Sequence, residues 1–204
     1  IDLNGGRLVN CILRDNVARG WDMQGGAVAL CSAQGVVDRC VFINNRCDNT
    51  SGGWCGNAVY QTAGAVRNCL FVGNGLVSSS FDNKGGTAVA KDGVIENCTF
   101  CDNEHRNASG VYADGNAKVV NCLICTNTCT EGQTASCVFS GDSTCFDHCM
   151  SDCVKINDSC FTCEAASVFM NYAAGDYRVG RNRETGEFFA GSGDLPDGFE
   201  HWLV

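Results

Sequence analysis

The sequence is short of proline, of positive charge and of long apolar runs. One proline stands in 204 residues, and 14 basic side chains face 23 acidic ones, for a net charge of −9. With no cluster of Lys and Arg there is nothing to neutralise phosphates, so the counterion release that drives nucleic-acid binding is missing and nucleic acid is excluded as a partner. No run reaches the roughly 18 apolar residues of a spanning helix, so this segment is not read as membrane-spanning. Helical periodicity is absent throughout. So are a Gly-rich phosphate loop and a nucleophile elbow.

What is plentiful is Cys, with 17 residues, and Gly, with 25; hydrophobic residues make up 45%. That suffices for the core of one domain of ordinary size. The cysteine load reads as a disulfide-bearing, exported chain, secreted or at the cell surface. Its odd count leaves at least one thiol without a partner in the chain.

Internal self-similarity governs the rest. Cys11, Cys40, Cys69, Cys98 and Cys122 recur at intervals of 29, 29, 29 and 24 residues, each followed five residues later by Asn16, Asn45, Asn74, Asn103 and Asn127. Three residues before each Cys stand Leu8, Val37, Val66, Ile95 and Val119; two after it stand Leu13, Phe42, Phe71, Phe100 and Ile124. The Cys and the residue two beyond it share one face of a strand, taken as the inner one. The apolar position three before the Cys cannot share that face unless the chain bends. The residue just before the Cys is Asn10, Arg39, Asn68, Asn97 or Asn121, and Asn tolerates left-handed backbone angles better than most residues. A further short strand is marked by Gly25–Val28 and its counterparts at Gly56, Gly86 and Gly110.

Three short strands per unit, stacked unit on unit, make a solenoid. The fold class expected is all-β, a single-stranded parallel β-helix, right-handed by the general preference of parallel crossovers. Residues 1–128 hold about five repeat units of 24 to 29 residues starting mid-coil, and 129–204 hold a Cys-rich irregular C-terminal cap and tail. A mid-coil start reads as a fragment, a processed product or a subunit that docks end to end, with another copy of itself as partner in an extracellular filament.

The Gly25–Val28 signature and the Phe-x-x-Asn segments Phe42–Asn45, Phe71–Asn74 and Phe100–Asn103 resemble those of polymorphic outer-membrane proteins and other bacterial surface β-helix repeats. Residues 165–179 are similar to a closing segment that often follows such repeats. The resemblance implies a right-handed parallel β-helix, export, and an adhesive or surface-architectural role. It implies no reaction and no cofactor.

The cysteines divide by position. Cys98, Cys101, Cys122 and Cys125 match four-cysteine zinc spacing, C-x2-C twice. Yet Cys98 and Cys122 belong to the repeat column, and residues three apart in a strand face opposite sides, so no metal is expected there. Cys101 and Cys125 share a column on adjacent coils and are candidates for a staple. Local disulfides are expected for Cys47 with Cys55 and for Cys129 with Cys137. Cys145, Cys149, Cys153, Cys160 and Cys163 crowd too closely for further repeats and are expected to pin the cap, with a metal site at His148 as the alternative.

A catalytic constellation is not found. Asp38, Glu96, Asp15 and Asp102 lie in two columns on different strands without an accompanying basic column, and His105, His148 and His201 are scattered. The expectation is no enzyme, with a polysaccharide lyase or hydrolase as the alternative. Between the ladder Asn and the next Gly-rich strand lie variable segments, three of which carry Trp21, Trp54 and Phe81. Exposed aromatics along a rod can stack on the sugar rings of a host glycan or grip a host protein. Alternatively each ring folds back over outward apolar residues such as Ile12, Val41 and Leu70.

Overall fold

The computed structural model describes residues 1–21, 24–49, 54–75, 84–105, 109–129 and 138–163, together with 169 and 173. Three parallel sheets run along it. Strands Asp2–Leu3, Val28–Leu30, Trp54–Gln61, Lys84–Ala90, Val111–Ala113 and Phe139–Gly141 pair in that order in the first. The second contains Arg7–Val9, Val36–Asp38, Ala65–Arg67, Val94–Glu96, Lys118–Val120 and Phe146–Asp147. The third contains Ile12–Arg14, Val41–Ile43, Leu70–Val72, Thr99–Cys101, Leu123–Cys125, Met150–Ser151 and Phe161–Thr162. Successive coils give parallel strands to these sheets, in register for example at Phe71 beside Phe42 and Phe100, with one shift between Gly86 and Ala88. The chain is a parallel β-helix.

The bend before each Cys is where the sequence places it. Asn10, Arg39, Asn68, Asn97 and Asn121 all have left-handed backbones, φ 50° to 55°, and His148 extends the column at 50°. A second bend, which no residue type announces, falls four residues after the Cys, at Asp15, Asn44, Gly73, Asp102 and Thr126, φ 52° to 62°. Two of the carboxylates weighed as catalytic, Asp15 and Asp102, are thus corner residues. At Gly56 an added Cβ would lie 1.8 Å from the Val59 carbonyl oxygen, so the glycines of the Gly-rich strand are required by close backbone approach.

The core is a bundle of columns. Phe42, Phe71 and Phe100 stack face to face, centroids 4.6 Å and 4.4 Å apart. Beside them run the thiols. Those of Cys40, Cys69, Cys98, Cys122 and Cys149 each donate to the carbonyl two residues back, at 3.1 to 3.5 Å, so a group that packs as a small hydrophobe also caps a corner carbonyl. Burial pushes the Cys98 and Cys149 thiols far above their ordinary range, whereas hydrogen bonds from neighbouring thiols pull Cys69 and Cys122 down. At the opposite corner the ladder asparagines bond coil to coil. Asn45, Asn74 and Asn103 each pass an amide hydrogen to the side-chain oxygen of the next, 2.9 Å every time, and a second to a carbonyl of the preceding coil at 2.9 to 3.0 Å.

The coils do not stop at residue 128. Met150 pairs with Leu123 and Phe161 with Met150, which puts Cys149 and Cys160 in the thiol column as its sixth and seventh members. Crowding of cysteines was a poor argument against further coils, because the last turn is short: only nine residues separate strands Met150–Ser151 and Phe161–Thr162. The described part of the region is irregular all the same, with two-residue strands and a 3₁₀ turn at Ser143–Cys145. At the other end, the strands of the first coil form sheet edges, and Ile1, Ile12 and Val17 are exposed.

Candidate functional site

The variable segments carry structure that the repeat pattern does not reveal. Val17–Gly20 pairs with Arg46–Asn49, and Glu104–His105 pairs with Thr128–Cys129, so two small parallel sheets flank the coil corners. The segments read as loops are in part strands, because the ladder Asn before each fixes the exit direction and hence the register.

Trp21 immediately follows the first of these sheets and is 77% exposed. Beside it Arg19 donates through Nε to Asp48 at 3.0 Å; the carboxylate is buried whereas the guanidinium stem is open to solvent. An exposed indole next to a fixed guanidinium suits a sugar ring or an acidic protein surface.

Trp54 lies elsewhere and differs in kind. It starts strand Trp54–Gln61, and its ring lies 4.1 Å from that of Tyr112, with Lys91 Nζ 3.7 Å from its centroid. Lys91 is held in turn by Asp114 at 2.8 Å, which also accepts from Tyr112 Oη at 2.6 Å. The ring does fold back, but over Tyr112 and Val89 and not over Ile12, which is 68% exposed. Phe81 lies outside the described residues, as does Cys137.

Asp38 gathers three guanidiniums: Arg7 at 3.5 Å, Arg67 at 3.6 Å and Arg39 at 3.7 Å, with Asn68 donating to it at 2.9 Å. The basic residues that seemed to be missing are there. They come from different columns of successive units, so only the coil register brings them together. With its oxygens facing cations of three coils, Asp38 is a cross-link between coils.

His148 Nδ1 lies 2.9 Å from Asp147. A hydrogen bond from Ser159, with His148 beside it, holds Asp147 below the usual carboxylate range. Asp147 and Ser159 border an open groove of about 580 Å³ lined also by Lys118, Thr144, Asn157 and Asp158. Ser159, whose Oγ also lies 2.9 Å from Asn157 Oδ1, is thus joined to His148 through Asp147, the order Ser–Asp–His and not the Ser–His–Asp of acyl transfer.

The cysteine expectations need correcting. Cys101, Cys125, Cys145, Cys149, Cys160 and Cys163 are free thiols. Cys101 and Cys125 are register partners on adjacent coils, as the shared column implies, and no bond joins their sulfurs. Cys145, Cys149 and Cys160 pack into the core and pin nothing covalently. Cys55 directs its thiol to the Cys47 carbonyl oxygen at 3.8 Å and the Cys47 thiol bonds to that of Cys55, so the structure brings this expected pair together in a buried site. Cys129 ends a flanking strand, and Cys153 bonds to Asp152 at 3.2 Å. Of the zinc-spaced set, Cys98 and Cys122 join the central core while Cys101 and Cys125 face the other side of their sheet. Among the described residues no helix is long and apolar enough to cross a membrane. Comparison of the chain with protein-family models, with curated proteins and with solved structures finds no match.

Proposed function

We propose that the protein is a secreted or cell-surface β-helix scaffold with an adhesive role and no catalysis of its own. The observation that carries this reading is the exposed Trp21 beside Arg19, mounted on a strand pair that continues the coil register. A rigid rod that holds an aromatic and a cation in solvent loses little entropy on binding, which favours recognition of a glycan or protein surface. The resemblance to bacterial surface repeats supports the location. Cysteine content does not, because the thiol column uses cysteines for packing.

The test is a binding screen of the full chain against host glycans and host-surface proteins, comparing wild type with Trp21→Ala and Trp54→Ala. Trp21→Ala is expected to weaken the best ligand about tenfold or more at unchanged melting temperature, as central aromatic anchors do. Trp54→Ala is expected to lower the melting temperature and leave affinity within about twofold. Equal affinity for wild type and Trp21→Ala, or no ligand for either, overturns the reading.

A further inference from the structure

We propose that Cys125 and Cys163 form an oxidisable pair, whose disulfide latches the last coil to the coil two rungs before it. Their sulfurs are 3.7 Å apart, van der Waals contact, although strand Met150–Ser151 separates strand Leu123–Cys125 from strand Phe161–Thr162. The register puts Asp152 between them in the column. Asp152 vacates that place by turning its carboxylate to the Thr126 amide, 2.6 Å away. Cys163 is in turn fixed from the other side, its amide donating to the Ser151 carbonyl at 2.8 Å. Closing from 3.7 Å to a bond of about 2.05 Å draws the sulfurs together by roughly 1.7 Å, a movement shared between the two side chains and the backbone of the short last strand, Phe161–Thr162.

Access divides the roles. Cys163 is half-buried and Cys125 fully buried, so an external disulfide reaches Cys163 first. The Cys163 thiolate attacks a small-molecule disulfide such as oxidised glutathione, forming one S–S bond and expelling one glutathione thiolate, which takes up a proton. Cys125 then loses its proton to solvent and attacks Cys163 Sγ, expelling the second glutathione thiolate. Two protein thiols are oxidised by two electrons and one external disulfide is reduced to two thiols. The second step is the slow one, because burial keeps the Cys125 thiol protonated.

The experiment exposes the full chain to oxidised glutathione at pH 7 and at pH 8.5, then maps disulfides by non-reducing peptide mass spectrometry and follows thermal melting. A mixed disulfide on Cys163 is expected first, then a Cys125–Cys163 linkage, reached faster at pH 8.5. The linkage spans 38 residues and is expected to raise the melting temperature by about 5 °C or more. Cys163→Ser, a change at a partly exposed position, is expected to fold normally and show no oxidative shift, whereas Cys101→Ser retains it. Cys163 found joined to another cysteine, glutathione still on Cys163 as the final product at pH 8.5, or an equal melting shift in Cys163→Ser overturns the proposal.

Discussion

Replacing Asn74 with Ala is expected to destabilise the chain by about 3 to 6 kcal/mol, enough to abolish a soluble fold in a protein of ordinary stability. The side-chain oxygen of Asn74 accepts from both the backbone and the side-chain amide of Asn45, each at 2.9 Å. Its amide donates to the Phe42 carbonyl at 3.0 Å and to Asn103 at 2.9 Å. Truncation breaks all four of these buried hydrogen bonds, each contributing about 0.5 to 1.5 kcal/mol, and Asn74 is fully buried. Asn16, on the first rung, gives an internal control. It makes the same bond to Asn45, at 2.7 Å, but is exposed, so Asn16→Ala is expected to cost about 1 kcal/mol or less. Urea unfolding followed by tryptophan fluorescence measures both, and equal losses would refute the ladder as a buried cross-link.

Phe71→Ala is the second large effect, about 3 to 5 kcal/mol. Phe71 is the middle ring of the stack, within 4.6 Å of Phe42 on one side and 4.4 Å of Phe100 on the other, and is wholly buried. A solenoid coil touches only its neighbours, so the cavity cannot be closed by movement of a distant layer. Phe71→Leu keeps most of the volume and is expected to cost about 1.5 kcal/mol or less. Leu13, in the same column but on the first rung, is less fully enclosed, so Leu13→Ala is expected to cost less than Phe71→Ala by chemical denaturation. The reverse order would contradict a core whose stability concentrates in its middle coils.

How far the sequence could be read follows from what each feature depends on. The Cys, Phe and Asn columns were legible because strict repetition at fixed intervals multiplies a weak local preference fivefold, and the bend before the Cys was legible because Asn fills four of its five positions. The bend four residues later was hidden: Asp15, Asn44, Gly73, Asp102 and Thr126 share a backbone conformation but no chemistry, and β-branched Thr126 is a poor candidate for it. The cluster around Asp38 was equally hidden, since its arginines converge only once the coils are set in register. Cysteine arithmetic misled most. It treats every thiol as a prospective disulfide, whereas seven cysteines, from Cys11 to Cys160, stand one per coil in a single column, and six of them donate to the carbonyl two residues back. The exposed Trp21 and the packed Trp54 looked equivalent because both follow a ladder Asn. What separates them is the presence of Tyr112 and Lys91 on later coils, within stacking distance of Trp54.

A scaffold that binds without reacting is tested most directly by following retention and cleavage on the same substrates. The full chain is incubated with a panel of plant and host polysaccharides, with and without calcium, and bound ligand, new reducing ends and unsaturated products are measured over time. The account predicts that any retained polysaccharide stays intact and that Trp21→Ala lowers retention about tenfold. Products that grow in proportion to time and protein, in either calcium condition, would contradict it and establish an enzyme.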